Sequence, residues 1–220
     1  MEKLTAEETR VLACLIEKHH TTPEQYPLSL NALATACNQQ SNRDPVVAFD
    51  EATISGAISG LRERRLLRVV LPGSGSRTTK YRHVVDEVWG LTEGECAVLA
   101  VLALRGPQTV NELRARVDRY RGIEDLGGVP GVLKRLSTRY EEPYVRDLGR
   151  SPGQREERWI QLFGEPMSGA SQAAVAAASR APRQSNSGEI AALRSELDEL
   201  KEQVSNMAAQ LSSLRSQLGA

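Results

Sequence analysis

Residues 4–13, LTAEETRVLA, return in altered form as residues 91–100, LTEGECAVLA. Two further pairs of segments follow in the same order, SLNAL at 29–33 with TVNEL at 109–113, and ISGAI at 54–58 with VPGVL at 129–133. Only the spacers between the paired segments differ in length. Self-similarity in a fixed order marks a repeated structural unit. The sequence therefore indicates a tandem duplication.

The first segment of each copy predicts a helix with a defined start. Thr5 is followed three residues later by Glu8, and Thr92 is followed at the same distance by Glu95. This spacing is that of a capping box, in which the two side chains satisfy each other's free backbone N–H groups. Apolar residues follow at helical spacing in both copies. We expect helix one of each copy to begin at these caps.

Two more helices are predicted in each copy. Ser29 and Thr109 are suited to cap a short second helix, and Asp50 to cap the third helix of the first copy. The third helix of the second copy is expected over about residues 127–138, where apolar residues recur with a helical period.

Each copy then changes to a β-prone pattern. Residues 67–71 and 78–85 flank a turn rich in Gly and Ser, and residues 144–148 and 158–163 flank a second turn with Pro and Gly. Extended runs on either side of such turns predict β-hairpins. Each copy is thus expected to hold three helices followed by a hairpin.

Three helices closed by a hairpin are typical of the winged helix-turn-helix fold. We therefore predict a mainly α chain of the α+β class, with tandem winged helix domains at residues 1–88 and 89–164. Residues 165–188 are rich in Ala, Ser, Gly and Pro. They are expected to form a linker, because they bury too little apolar surface to offset the entropy cost of ordering.

Residues 189–220 carry apolar side chains at both core positions of four heptads, which predicts a coiled coil. The positions are Ile190, Leu193, Leu197, Leu200, Val204, Met207, Leu211, Leu214 and Leu218. Glu196 precedes Lys201 by five residues, the spacing of attraction between the helices of a parallel pair. We expect a homodimer. A trimer, and a helix that folds back on the winged domains, are the alternatives.

Composition restricts the class of protein. Lys and Arg number 28, and Asp and Glu also number 28, so the formal charge at pH 7 is zero. Dedicated nucleic-acid binders usually carry a net positive charge, so any basic surface must be local. No apolar run approaches the roughly 20 residues of a membrane span, and the first residues lack the apolar core of a signal peptide. With three widely spaced cysteines, these features predict a cytoplasmic protein without membrane contact.

No group of residues in the sequence predicts catalysis. Residues 73–80 resemble a phosphate loop only superficially, since they lack its GK[ST] ending, and they are expected to form a hairpin turn. His19 and His20 end the first helix, where they suit the helix dipole, and His83 stands alone in the wing. The cysteines are expected in the apolar core. We predict no enzyme activity, no metal site and no cofactor.

The residues suited to bind duplex DNA lie in the first copy. In winged helix proteins that bind DNA, helix three enters the major groove and the wing contacts the backbone or the minor groove. Hydroxyl and guanidinium side chains there contact phosphates and base edges. The candidate nucleic-acid-binding residues are Asn42, Arg43, Thr53, Ser55, Ser59, Arg62, Arg77, Lys80 and Arg82.

The same surface supports a second interpretation. Arg62 and its neighbours could pair with Glu51 and Glu63 as an ordinary solvated helix end. Gly56 and Gly60 make helix three smooth enough to pack against another helix. Together with the zero net charge, this favours a scaffold for a protein partner almost as well as DNA binding. In either case we expect the first copy to supply the contact surface and the second to be its packing partner.

Several long strings resemble the YceH-like family of bacterial proteins. The residues that carry the resemblance are YPLSLNAL at 26–33 and SNRDP at 41–45, with the capped first helix before them. The likeness extends from about Leu4 to Phe163. It implies a pair of winged helix domains, in agreement with the duplication, and it implies no catalytic residues because the family has no characterised function.

Overall fold

The computed structural model describes residues 2–71, 78–120, 128–139, 142–150 and 156–167. Within these ranges the chain forms seven α-helices and small antiparallel sheets, so it belongs to the α+β class as predicted. The predicted coiled coil, the linker from residue 168 onward and Arg77 lie outside the described residues. No helix in the described ranges is both long and apolar enough to cross a membrane.

The helices of the first copy begin at the predicted caps. They are α1 (Ala6–Thr21), α2 (Leu30–Cys37) and α3 (Glu51–Glu63). The Thr5 hydroxyl accepts a hydrogen bond from the Glu8 N–H, and the Glu8 carboxylate accepts one from the Thr5 N–H, which completes the capping box. Ser29 caps α2 and Asp50 caps α3 through the same kind of contact. The local sequence therefore determines where these helices start.

The hairpin of the first copy belongs to a three-stranded sheet. Its strands are β1 (Leu28–Ser29), β2 (Leu67–Val70) and β3 (Lys80–His83), in the order β1-β3-β2. The predicted second strand extended to Val85, and this end is wrong. Val85 instead begins the short helix α4 (Val85–Trp89), which ends at Gly90 in the left-handed conformation (φ +59°) that glycine adopts without steric cost. The two-residue strand β1 was not predicted from the sequence.

The second copy repeats this order of elements. It contains α5 (Glu93–Arg105), α6 (Val110–Val117), α7 (Gly128–Ser137), β4 (Val145–Asp147) and β5 (Trp159–Gln161). Capping boxes start α5 at Thr92 and α6 at Thr109. Gln108 exchanges two backbone hydrogen bonds with Trp159, so it pairs with β5 as β1 pairs with β3.

The two copies share one hydrophobic core. Helices α1 and α5 pack directly on each other, and the buried side chains of both copies form a single cluster. The ends of the pair are also joined, because the Leu4 N–H donates to the Phe163 carbonyl oxygen and the Glu165 N–H donates to the Leu4 carbonyl oxygen, both at 2.9 Å. The division into domains at residues 88 and 89 stays a prediction.

Candidate nucleic-acid interface

Helix α3 buries one face and exposes the other. The buried residues are Ile54, Ala57, Ile58 and Leu61. On the opposite side Ser55, Gly56, Ser59 and Arg62 are exposed, and Thr53 is half-buried. A Cβ added at Gly56 would meet no atom within 4 Å, so this face is open as well as smooth. Small side chains of this kind allow the backbone of α3 to come close to a binding partner.

Acidic groups stand at the start of α3. The Asp50 carboxylate accepts a hydrogen bond of 2.8 Å from the Thr53 N–H. Hydrogen bonds from Thr53 lower the pKa of Asp50, since they stabilise its charged form. The exposed face therefore has negative charge at its beginning and the positive charge of Arg62 near its end.

Two arginines of the hairpin, Arg68 and Arg82, pair with one carboxylate of α4, that of Glu87. Arg82 lies opposite Arg68 in the register of β2 and β3. The Glu87 carboxylate pairs with both guanidinium groups, at 2.8 Å from Arg68 Nη2 and 3.4 Å from Arg82 Nη2. Arg68 and Glu87 were not among the predicted site residues. The alternation of side chains along β2 places Arg68 on the outer face of the hairpin, and this alternation could have predicted Arg68 from the sequence.

The hairpin also carries Lys80, which is half-buried and lies opposite Val70 in the register of the sheet. Lys80 and Arg82 are two residues apart on β3, so they share one face of the sheet. Of the predicted residues, the structure thus places two on the hairpin and four on α3.

Arg43 does not lie on this surface. Its side chain is buried and bonds bidentately to the Glu17 carboxylate, at 2.6 and 3.1 Å, and it also donates to the Ala36 carbonyl oxygen at 2.8 Å. Burial opposes its charge, but Cys14 and the hydrogen-bonded Glu17 outweigh burial and raise the pKa of Arg43. The assignment of Arg43 to the nucleic-acid surface is corrected, because its guanidinium is buried and is bound by the partly exposed Glu17 carboxylate.

Asn42 is also separate from α3. It adopts a left-handed backbone conformation (φ +62°), and its side-chain oxygen accepts a hydrogen bond from Arg105 of the second copy. Asn42 is therefore a residue of the junction between the copies rather than of the α3 face, because the turn that contains it bends toward α5.

His83 is not alone, contrary to the prediction. Its Nε2 atom lies 3.1 Å from Nδ1 of His19, and the backbone N–H of His83 donates to the Tyr26 hydroxyl at 2.8 Å. The Tyr26 ring stacks on His19 with a centroid distance of 4.9 Å. Burial, assisted by the neighbouring His19, lowers the pKa of His83 to about 4. The wing is thus attached to α1 through a neutral histidine.

The three cysteines are buried, as predicted. Burial raises the pKa of Cys96 to about 12. The thiol of Cys37 is hydrogen-bonded to Cys14, and this bond together with burial raises its pKa. In the part of the chain that the structure describes, no three His, Cys, Asp or Glu side chains are placed to bind one metal ion.

These observations define an α+β protein with a duplicated unit of three helices and a hairpin, whose first copy exposes a polar third helix. Comparison with known sequences supplies the family. A family model described as "Protein of unknown function, DUF480" matches residues 4–154.

Relatives extend the match over most of the chain. A UPF0502 protein from Pelobacter propionicus is 51% identical over 162 residues, which cover 74% of this chain and 73% of the relative. One from Solibacter usitatus is 45% identical over 199 residues, 90% of this chain and 93% of the relative. The UPF0502 protein YceH of Salmonella paratyphi A is 41% identical over 214 residues, 95% and 98% of the two chains. The chain belongs to the UPF0502 (DUF480) family, and the predicted resemblance to YceH-like proteins is confirmed.

Proposed function

We propose that the protein binds duplex DNA through α3 and the β2–β3 hairpin of the first copy, in the manner of a transcription regulator. In this proposal each copy is a winged helix domain, and residues 189–220 form a coiled coil that joins two chains in the cytoplasm. The observation that carries the proposal is the open face of α3, which combines two serine hydroxyls with Arg62 opposite a fully buried apolar face.

The position of the hairpin supports the winged helix assignment. The Leu66 N–H donates to the Leu61 carbonyl oxygen at 2.9 Å, which holds the start of the hairpin against the end of α3. The Tyr144 N–H makes the same contact with Leu136 at the end of α7. In a winged helix protein on DNA, this placement lets helix three occupy the major groove while the wing reaches the backbone.

The side chains available on this surface suit backbone and base contacts. The Ser55 hydroxyl can donate to a phosphate oxygen or a base edge, and Arg62 can pair with guanine or with a phosphate. The Ser59 hydroxyl donates to the Ser55 carbonyl oxygen and can accept a hydrogen bond from a base. Lys80, Arg82 and the predicted contact Arg77 would add phosphate contacts from the wing. A parallel coiled coil would place two such surfaces on one molecule and raise the effective concentration of the second for a paired site.

A specific observation favours the second candidate, a scaffold for a protein partner. Glu87 pairs with both Arg68 and Arg82, so the outer face of the hairpin has less free positive charge than its arginines alone supply. Asp50 and Glu51 add negative charge at the start of α3. A surface of mixed sign is more common in protein–protein contacts than in DNA contacts.

Fluorescence anisotropy with a labelled random duplex tests the DNA proposal. We expect binding at low salt that weakens steeply as salt rises, because displaced counterions dominate the affinity of phosphate contacts. Ser59→Glu should reduce the affinity at least tenfold by placing a carboxylate on the α3 face. Lys134→Glu is the matched control, since Lys134 occupies the equivalent exposed position of α7 in the second copy, and it should have little effect.

Two outcomes would contradict this proposal. Absence of binding at low salt with micromolar protein would exclude the DNA function and leave the protein-partner scaffold. An equal loss in Ser59→Glu and Lys134→Glu would show that the first copy is not the contact surface.

The proposed homodimer has its own test. A chain that ends at Met167 keeps the hydrogen bond between Glu165 and Leu4 and lacks the heptads. By light scattering this shortened chain should have the mass of a monomer, whereas the full chain should have the mass of a dimer. A full chain that is already monomeric would contradict the coiled-coil dimer.

A further inference from the structure

A cavity of about 340 Å³ opens at the junction of the two copies, beside the carboxyl ends of α1 and α5. Four of its lining side chains are cationic, namely Lys18, Arg105, Arg116 and Arg119. The size falls in the range of small-molecule sites, for which roughly 300–1,000 Å³ is typical. None of the lining residues belongs to α3 or to the β2–β3 hairpin, so this cavity is separate from the candidate nucleic-acid interface.

Both copies contribute positive charge to this cavity. Lys18 and Arg105 are equivalent residues, since the duplication aligns α1 with α5 at a constant offset. Gln39 and Arg119 are also equivalent, because each directly follows the C-terminal cap of the second helix in its copy. The same region of each copy therefore lines this cavity. A ligand with negative charge at both ends would meet a cation from each copy.

Among the described residues that line the cavity there is one carboxylate, and it is already paired. Glu17 bonds bidentately to the buried Arg43, and the same carboxylate is 3.7 Å from Lys18 Nζ. Since Arg43 balances the charge of Glu17, the four lining cations form an excess of positive charge. This excess is local, because the chain as a whole has a formal charge of zero.

Arg116 supplies the second observation that points to a ligand. Its Nη1 atom is buried and has no hydrogen-bond acceptor among the described residues. Burial together with the neighbouring charges of Arg116 and Arg119 lowers the pKa of Arg105. A buried donor without an acceptor and like charges at close range both cost free energy, and an anion in the cavity would relieve both.

We propose that this cavity binds a small anion that carries two linked phosphate groups. Guanidinium groups bind phosphate oxygens bidentately, so three arginines and a lysine can hold more than one phosphate. The amide of Gln39 adds a neutral donor, because its oxygen accepts from Arg43 and its N–H groups remain available to a ligand. Because the ligand would touch both copies, its binding would stabilise their packing.

Calorimetric titration of the full chain with sodium pyrophosphate tests the proposal, with citrate and sulfate as reference anions at matched ionic strength. We expect saturable binding of pyrophosphate and a rise in melting temperature. Arg116→Gln should weaken binding at least tenfold. Arg114→Gln is the matched control, because Arg114 is an exposed residue of the same helix that does not line the cavity, and it should bind as the unmodified chain does.

The remaining outcomes would overturn the pyrophosphate proposal or show that a different ligand occupies the cavity. No binding at millimolar pyrophosphate, or an equal loss in Arg114→Gln, would overturn the proposal. Citrate binding as tight as pyrophosphate binding would overturn the phosphate assignment. Ser59→Glu should leave pyrophosphate binding unchanged, which makes this test independent of the DNA proposal. A random duplex that displaces pyrophosphate would place nucleic acid in the cavity and would also overturn the small-anion proposal.

Discussion

Both copies connect the end of their third helix to the residues before their first helix through an equivalent arginine. In the first copy Arg64 donates to the carbonyl oxygen of Glu2 at 3.3 Å. In the second copy Arg139 donates to the carbonyl oxygen of Trp89 at 2.8 Å. Trp89 is the equivalent of Glu2, and Arg139 of Arg64, so the duplication preserved a contact between two backbone segments that are far apart in sequence.

The copies share this arginine contact but differ in the side chains that they bury. Glu17 of α1 is paired with the buried Arg43, whereas its equivalent in α5 is the apolar, buried Leu104. His83 closes the hairpin of the first copy opposite Leu67, whereas Gln161 takes the corresponding register position opposite Val145. Backbone contacts were thus retained, whereas among the described residues the buried arginines and histidines all lie in the first copy. This comparison predicts that the two copies respond differently to charge, pH and substitution.

The largest expected effect concerns the buried ion pair. Arg43→Ala should lower the free energy of unfolding by about 3 kcal/mol, because it removes the bidentate partner of the Glu17 carboxylate, whose side chain is only 12% exposed. Urea denaturation followed by circular dichroism measures this. The double variant Glu17→Leu with Arg43→Met imitates the apolar second copy and should recover most of the loss. If Arg43→Ala were as stable as the unmodified chain, the ion pair that distinguishes the first copy would not contribute to stability.

The second effect is a pH dependence confined to the first copy. The folded-state pKa of His83 lies near 4, below the value of about 6.5 in an unfolded chain, so the unfolded state binds more protons between these values. The stabilisation by neutral His83 is complete above pH 6.5 and is lost as the pH falls toward 4. Between pH 7 and pH 5 we expect a loss of about 2 kcal/mol from this residue.

Denaturation curves of the unmodified chain and of His83→Gln at both pH values isolate this contribution. Glutamine is the residue at the matching register position of the second copy and does not titrate. The variant should lose less stability than the unmodified chain as the pH falls from 7 to 5. Parallel losses would contradict the assignment of the pH dependence to His83.

A smaller effect tests the shared arginine contact. Arg139→Ala should cost about 1–2 kcal/mol, because its guanidinium also lies over the Tyr144 ring at 5.3 Å and adds a cation–π contact. Arg64→Ala should cost about 1 kcal/mol, since its side chain is partly exposed and its pairs with Glu2 at 3.2 Å and Glu8 at 3.5 Å are longer than the 2.8 Å contact of Arg139. Thermal unfolding of both variants measures the difference. The reverse order would show that the first copy depends more on this contact than the second.

The smallest effect distinguishes the two glycines of α3. Gly56→Ala should raise stability by about 0.5–1 kcal/mol, because alanine favours the helix and its Cβ meets no atom within 4 Å. At Gly60 a Cβ would collide with the Glu8 carboxylate of the capping box. Gly60→Ala should therefore be at least about 1 kcal/mol less stable than Gly56→Ala. Thermal unfolding of the two variants side by side tests this, and equal stabilisation would contradict the close contact.

The same glycine explains a further difference between the copies. In α7 the position equivalent to Gly60 is Arg135, and its Nε atom pairs with the capping-box carboxylate of Glu95 at 3.0 Å. The capping-box carboxylate of each copy is thus paired with an arginine, but in the first copy this is Arg64 at 3.5 Å, four residues after Gly60. Variation at this position changes how the helices meet without changing the fold.

Much of the fold could be predicted from sequence because its signals are local. The caps at Thr5, Ser29, Asp50 and Thr92 satisfy backbone groups within three residues, so their spacing alone indicates where a helix begins. The internal duplication then predicted the same order of helices and hairpins in both copies. The candidate residues on α3 followed from its helical period, and the structure places their side chains on its open face.

Other features depend on contacts between residues far apart in the chain. A strand of two residues such as β1 has no period to recognise, and it exists because β3 supplies its hydrogen bonds from about fifty residues later. The charge of Arg43 suggested a surface residue, because arginine is usually exposed. The packing of α1 against the turn that contains Arg43 brings its guanidinium into a bidentate contact with Glu17, and the sequence alone does not show this contact.

The sequence by itself determined the helix starts, the duplication and the polar face of α3, since each depends on neighbours a few residues apart. The tertiary structure decided which charges are buried, which histidines meet, and that Lys18, Arg105, Arg116 and Arg119 line one cavity. The physical reason is distance along the chain. Burial and electrostatic contact depend on the packing of whole helices, and no local pattern records which helices will meet.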